Sequence, residues 1–399
     1  MHKRIGLLPK LILAIIIGIG IGKLGMEVPV KVLATFNGIF GNFLKFSIPL
    51  IIIGFVAPGI GDLGTGAGKL LGITTGIAYL STIAAGTFTY FVNTHVFKLI
   101  LNTGTVVKDA TNPEHSLLSG YLTISMPPIM DVMTALLMAF LLGIGIAVAK
   151  GTAIKDLMNE FQGIVEGLIR NIIIPFLPLH IAGIFANMTY AGEVAMILAV
   201  FSKVFAVILC LHFIVLAILY IIAGVVSGAN PLKLAKTMIP AYFTAIGTQS
   251  SAATIPVTLN QTKENGVNTG IAEFVVPLCA TIHLSGSTIT LVSCSMAIMM
   301  LHGMPITFGI MFGFIMMLGV TMVAAPGVPG GAVMAALGII ESMLGFPPTL
   351  TSLMIALYLA QDSFGTACNV TGDGALAIIV NRIAGFKLEK NAKEIFDDI

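Results

Sequence analysis

Apolar residues run through this chain in long blocks rather than in the short alternations of a soluble domain. Eight segments of bilayer-spanning length can be drawn, at 8–26, 30–56, 68–100, 118–150, 163–188, 194–227, 267–300 and 347–384. A helix needs roughly 20 apolar residues to cross the hydrocarbon core. Two further stretches are neither good spans nor good loops: 229–260, with "GTQSSAATIP" inside it, and 305–346, with "AAPGVPGGAV". Each has apolar arms around a centre rich in glycine, proline or small polar residues, the pattern of a helical hairpin that enters the membrane and turns back. Irregular backbone is tolerated at that depth only where protein buries it or it lines a wet cavity. The expected fold is an all-α polytopic membrane protein with eight transmembrane helices and two re-entrant helical hairpins.

Composition strengthens this picture. The 399 residues are 57% hydrophobic and 10% charged, against about 25% charged in a globular protein. A net charge of +2 without a basic stripe gives no footing for nucleic acid. Cys210, Cys279, Cys294 and Cys368 stand singly in apolar segments, with neither a CxxC nor a zinc spacing. The start has a basic head and an apolar run but no small-residue cleavage site, so it reads as an uncleaved first helix. Lys and Arg gather before the first span (Lys3, Arg4, Lys10), at alternate boundaries (Lys69, Lys150, Lys155, Lys233, Lys236, Lys263) and at the end (Arg382, Lys387, Lys390, Lys393). Cytoplasmic loops collect these residues, which puts both termini in the cytoplasm. Eight crossings meet that condition only if each hairpin returns to its own side. Two such hairpins in opposite orientation suggest inverted repeats.

Candidate chemistry concentrates on the last span, in "AQDSFGTACNVTGDGALAIIV". At about 100° per residue, Asp362, Thr366, Asn369 and Asp373 fall within roughly 60° of one another on one helical face. A carboxylate at mid-membrane costs at least ~2.5 kcal/mol, so two on one stripe require polar partners: a helix–helix polar clamp, or a substrate or cation site. No basic residue of nearby spans is placed to pair with both. The span 267–300 is interrupted at "CATIHLSGSTIT", where Thr281, His283, Ser285, Gly286 and Ser287 favour unwinding. Freed carbonyls and a carboxylate suit a hard cation such as sodium. His283 reads as a neutral hydrogen-bonding residue, a proton carrier or an indirect part of an ion site.

These pieces together resemble the dicarboxylate/amino acid:cation symporter family, the glutamate transporter homologues, over nearly the whole chain. "TQSSAATIPVT" is similar to the family's first hairpin tip, "PGVPGGA" to its second, and "D-x-x-x-T-x-x-N-V-T-G-D" to its last-span motif. The resemblance implies an elevator-like motion and a homotrimer. It implies a scaffold and trimerisation part at 1–67, a transport part at 68–118, mixed parts at 119–227 and the substrate and ion core at 228–399. It implies that Asp362 takes a substrate α-ammonium and that Asn369, with Ser251 and the backbone beside it, takes the α-carboxylate. Gln249, Ser250, Ser287, Val328, Pro329, Gly330, Ala332, Gly365 and Thr366 would complete the substrate site. Asp373 would hold a cation with Asn369 and with carbonyls near Cys279 and His283. Thr281 would serve a second cation, and Ser81 and Thr82, with Ser285, a third.

The departures from the family narrow the substrate. The arginine that pairs with an acidic side chain is replaced by Gly365, and Gln249 fills the position of the first-hairpin arginine of some relatives. The usual Asn-Met-Asp-Gly-Thr reads His283-Leu284-Ser285-Gly286-Ser287, which removes two residues of the third ion site, and Ala332 replaces a glycine. The expected function is therefore a symporter of a small neutral amino acid driven by sodium, or partly by protons through His283, with no organic cofactor. The alternative within the family is a dicarboxylate or acidic amino acid symporter. A channel would need a continuous polar pore, whereas the polar residues converge at one depth. An intramembrane enzyme would need a pair such as Ser250 or Ser251 with His283, and GxSxG is absent.

Overall fold

The computed structural model describes residues 7–63, 68–101, 118–148, 152–192, 194–323, 325, 330–385 and 388, and all regular structure among them is helical. The chain opens with α1 (Leu7–Lys23), α2 (Glu27–Leu63) and α3 (Gly68–Ile100), followed by α4 (Val132–Val148) and α5 (Ala153–Leu168). A π-helical turn at Ile169–Ile173 leads into α6 (Ile174–Tyr190), and α7 (Val194–Ser227) follows. Pro175 stands just past the π turn, which takes up the backbone hydrogen bonding that a proline ring disrupts. Among the described residues, five helical runs are long and apolar enough to cross a membrane: Glu27–Gly54, Leu70–Ile100, Ala153–Tyr190, Leu198–Ser227 and Thr269–Leu301.

The second half is built of shorter helices, one pair of which is separated by a two-residue break. A short α8 (Pro231–Thr237) precedes α9 (Ile239–Thr248) and α10 (Ser251–Glu264), which turn back on each other at Gln249–Ser250. Then come α11 (Thr269–Ile282), α12 (Ser285–Leu301), the hairpin arms α13 (Phe308–Met322) and α14 (Gly331–Leu344), and α15 (Pro348–Ile383). The break between α11 and α12 is only two residues, His283 and Leu284. Ser285, Gly286 and Ser287, expected to be unwound, instead form the first turn of α12.

The segment 118–150 differs most from expectation. Residues 118–131 are not helical, and the helix begins only at Val132. Pro127 and Pro128 lack the amide hydrogens a helix needs, and Asp131 accepts the Thr134 N–H at 3.0 Å to start α4 afresh. The extended stretch is held by side chains instead. Asn187 exchanges two hydrogen bonds with the Leu118 backbone, both 2.9 Å, and Asn42 Nδ2 donates to the Ile124 carbonyl at 2.7 Å.

Small residues set the packing of α1 on α6. A Cβ at Gly18 would strike the Ala182 carbonyl, and one at Gly22 would lie 2.5 Å from the Ala186 carbonyl. This small-xxx-small match lets the two helices approach backbone to backbone. The centre of the fold is α15, buried along nearly its whole length and packed against α7, α9, α10, α11 and α12. Its glutamine, aspartates and asparagines break its apolar run, which keeps this 36-residue helix out of the five above.

Candidate functional site

The polar stripe of α15 faces the first turn of α12. Asn369 Oδ1 accepts the N–H groups of Gly286 and Ser287 at 2.8 and 3.3 Å, and its Nδ2 donates to Ser287 Oγ at 2.9 Å. The Tyr358 hydroxyl donates to the same oxygen at 2.9 Å. The orphan N–H groups of a helix start are thus capped from another helix. The two helices touch backbone to backbone here, since a Cβ on Gly286 would lie 2.5 Å from the Gly365 carbonyl and 2.6 Å from Cys368 Cβ. Gly286→Ala forces the crossing apart, and we expect it to lower stability by about 1–3 kcal/mol, read as an earlier thermal unfolding transition. Position 365 faces α12, with Gly286 C, Ser287 N and Thr290 Oγ1 each 3.6 Å from where its Cβ would stand. A Cβ there would make only ordinary van der Waals contacts, and a longer side chain would have to run along α12.

Asp362 lies on the same stripe, buried, and its Oδ2 accepts the Gly330 N–H at 2.7 Å. Gly330 immediately precedes α14, whose N-terminal end favours a negative charge. It has φ +75°, a conformation that favours glycine. Thr366 and Ala332 are buried nearby in α15 and α14. Val328 and Pro329 lie outside the described residues.

At the first hairpin, Gln249 caps α9 in the left-handed region (φ 53°), alone among the described non-glycine residues. Such a conformation costs an L-residue of order 1 kcal/mol and marks sites under constraint. Ser250 caps α10 through its Oγ, which accepts the Ala253 N–H at 3.2 Å, and Thr254 Oγ1 donates to the Ser250 carbonyl at 2.8 Å. Ser250 and Ser251 are buried, with both arms of the hairpin against α15. Much of the tip's hydroxyl chemistry therefore holds the turn itself.

The break between α11 and α12 carries a second polar line. His283 Nδ1 lies 2.9 Å from Asp373 Oδ1, and its Nε2 lies 3.0 Å from Ser81 Oγ on α3. Both His283 and Asp373 are fully or almost fully buried, and Asp373 Oδ2 has no protein partner. The hydroxyl on His283 is that of Ser81, so the pairing of Ser250 or Ser251 with this histidine, weighed above, is not formed. Thr82 Oγ1 donates to the Ala78 carbonyl, and the buried Ser285 Oγ and Thr288 Oγ1 are without partners. The Cys279 carbonyl accepts the His283 N–H, and Cys279 is buried. Thr281 is exposed, donating to Leu278, and does not join the buried group. Among the described residues no group of three or more His, Cys, Asp or Glu could share a metal ion. A cation here would meet one carboxylate together with carbonyls and hydroxyls, a hard-oxygen set.

One residue at this centre was missed. His212 of α7 is buried and its Nε2 lies 3.0 Å from the Gly286 carbonyl, so Gly286 is held at both its N–H and its C=O. Its signal was a lone polar residue in "VILCLHFIVLAIL", since an ionisable group in such a run needs a buried partner.

The family model described as Sodium:dicarboxylate symporter family matches residues 7–383. Serine/threonine transporter SstT of Acinetobacter baumannii is 27% identical over 388 residues, covering 93% of this chain and 95% of that protein. Excitatory amino acid transporter 1 of Mus musculus is 28% identical over 268 residues, which are 66% of this chain and 48% of that protein.

Proposed function

The chain belongs to the Sodium:dicarboxylate symporter family, and from that premise we propose that it carries a small neutral amino acid together with sodium. It is a multi-pass, cation-coupled membrane symporter and not an enzyme. The observation that carries the neutral substrate is the absence of any lysine or arginine among the described buried residues, in a site with two buried aspartates. Burying a second substrate carboxylate beside them without a counter-charge would cost several kcal/mol. The relative named for serine and threonine supports the same class of substrate.

In this reading Asp362 exchanges the Gly330 N–H for the substrate ammonium, and the two hairpin tips close over it. Asn369 and the first hairpin tip receive the substrate carboxylate, and Asp373 receives sodium. The hairpins α9–α10 and α13–α14 are the re-entrant elements of inverted repeats. With residues 118–131 non-helical, α4 alone makes the fourth crossing. Both termini are cytoplasmic in the inner membrane, and three copies assemble on the α1, α2 and α4–α6 side. The core of α3 and α7–α15 then moves as an elevator.

A substrate panel tests the selectivity. Thermal stabilisation or binding titration with serine, threonine, alanine, methionine and aspartate, each with and without sodium, should show sodium-dependent binding of the small neutral members and none of aspartate. Preference for aspartate would remove this reading. Gly365→Arg should lower affinity for the neutral substrate, because its side chain must run along α12. It should gain some for aspartate, since a guanidinium pairs well with a carboxylate.

A further inference from the structure

His283 holds one of the two carboxylate oxygens that a cation at Asp373 could use. A carboxylate offers only acceptors, so the Nδ1 that lies 2.9 Å from Asp373 Oδ1 carries the hydrogen. In the neutral ring the other nitrogen is then an acceptor, and the Ser81 hydroxyl, 3.0 Å away, donates to it. The imidazole is thereby fixed at both ends, between α3 and α15. Its seat is shaped for it, since a Cβ at Gly372 would lie 2.9 Å from His283 Cε1. The carboxylate is left divided: Oδ1 is tied to the ring, and Oδ2 is buried without a protein partner. A donor hydrogen and a cation both seek the lone pairs of this carboxylate, and in a buried site each weakens the other.

We propose that His283, tethered by Ser81, is a built-in competitor for the coupling cation at Asp373, and that sodium binds fully only as the imidazole leaves Oδ1. This rests on Asp373 being the cation's carboxylate. It gives Ser81 and His283 a role opposite in sign to that of cation ligands, so that removing either one tightens sodium binding.

The test is thermal unfolding of the purified protein in detergent without amino acid, with sodium chloride replacing choline chloride at constant ionic strength. The readout is the sodium concentration giving half-maximal stabilisation. His283→Asn removes the ring and offers an amide oxygen, and should lower that midpoint about tenfold or more, the size expected for one hydrogen bond to a charged group. Ser81→Ala leaves both Asp373 and the ring in place but cuts the tether, and should lower it by about threefold. An unchanged or raised midpoint in Ser81→Ala overturns the proposal, and so does either result in His283→Asn. If His283→Asn does not elute as a folded species, Ser81→Ala decides alone. Asp373→Asn separates the two layers. Sodium stabilisation surviving in that variant defeats the cation reading itself. Stabilisation lost there but unaltered in the other two defeats only the competitor.

Discussion

Asp373→Asn abolishes sodium-dependent uptake while the protein still folds and assembles. The amide oxygen can still accept the His283 Nδ1–H that now spans 2.9 Å, so the link between α11 and α15 survives. What is lost is the charge. Asp373 Oδ2 is buried with no protein partner, and an uncompensated carboxylate in that position costs several kcal/mol unless a cation joins it. An amide neither needs nor attracts the ion, and losing roughly 3 kcal/mol of charged interaction is about 100-fold in affinity. Uptake of labelled amino acid into proteoliposomes, with and without a sodium gradient, measures this directly. Wild-type sodium dependence in the variant would mean that Asp373 serves only as a clamp between helices.

Asp362→Asn weakens substrate binding by roughly 10- to 100-fold, the size of a charge-assisted hydrogen bond lost at a buried site. The amide oxygen can still accept the Gly330 N–H, so Gly330 keeps its partner and the loss falls on the ammonium contact. Titration calorimetry on wild type and variant gives the ratio, and circular dichroism checks the fold. An analogue of the substrate without its amino group should bind wild type poorly. Strong binding of that analogue would take Asp362 out of the substrate site.

The polar stripe of the candidate site was legible in the sequence where helical spacing alone decides it. Asp362, Thr366, Asn369 and Asp373 share a face because helical spacing requires it, and along that face Asp362 meets Gly330, Asn369 the first turn of α12 and Asp373 the ring of His283. Gly, Pro and hydroxyl residues between apolar arms marked both hairpins, and the tip at Gln249–Ser250 lies inside the quoted run. Tertiary packing decided the rest. Hydropathy alone extends the fourth segment through Pro127 and Pro128, although the backbone ahead of them is paired by side chains, Leu118 with Asn187 and Ile124 with Asn42. Nothing local announces that Ser81 meets His283 from 202 residues away, nor that Gly286 lies against the Gly365 carbonyl. The extra width of the expected unwinding came from reading hydroxyls as helix breakers, whereas Asn369 caps α12 and lets its helix start at Ser285.

The central claim is sodium-driven transport of a small neutral amino acid by a site with no lysine or arginine among the described buried residues. Its most direct test is uptake of labelled serine and, separately, labelled aspartate by the purified protein in proteoliposomes under an inward sodium gradient, against choline as control. The account predicts concentrative serine uptake that vanishes without sodium, and aspartate uptake at background. Aspartate uptake exceeding serine, or serine uptake indifferent to sodium, would contradict it.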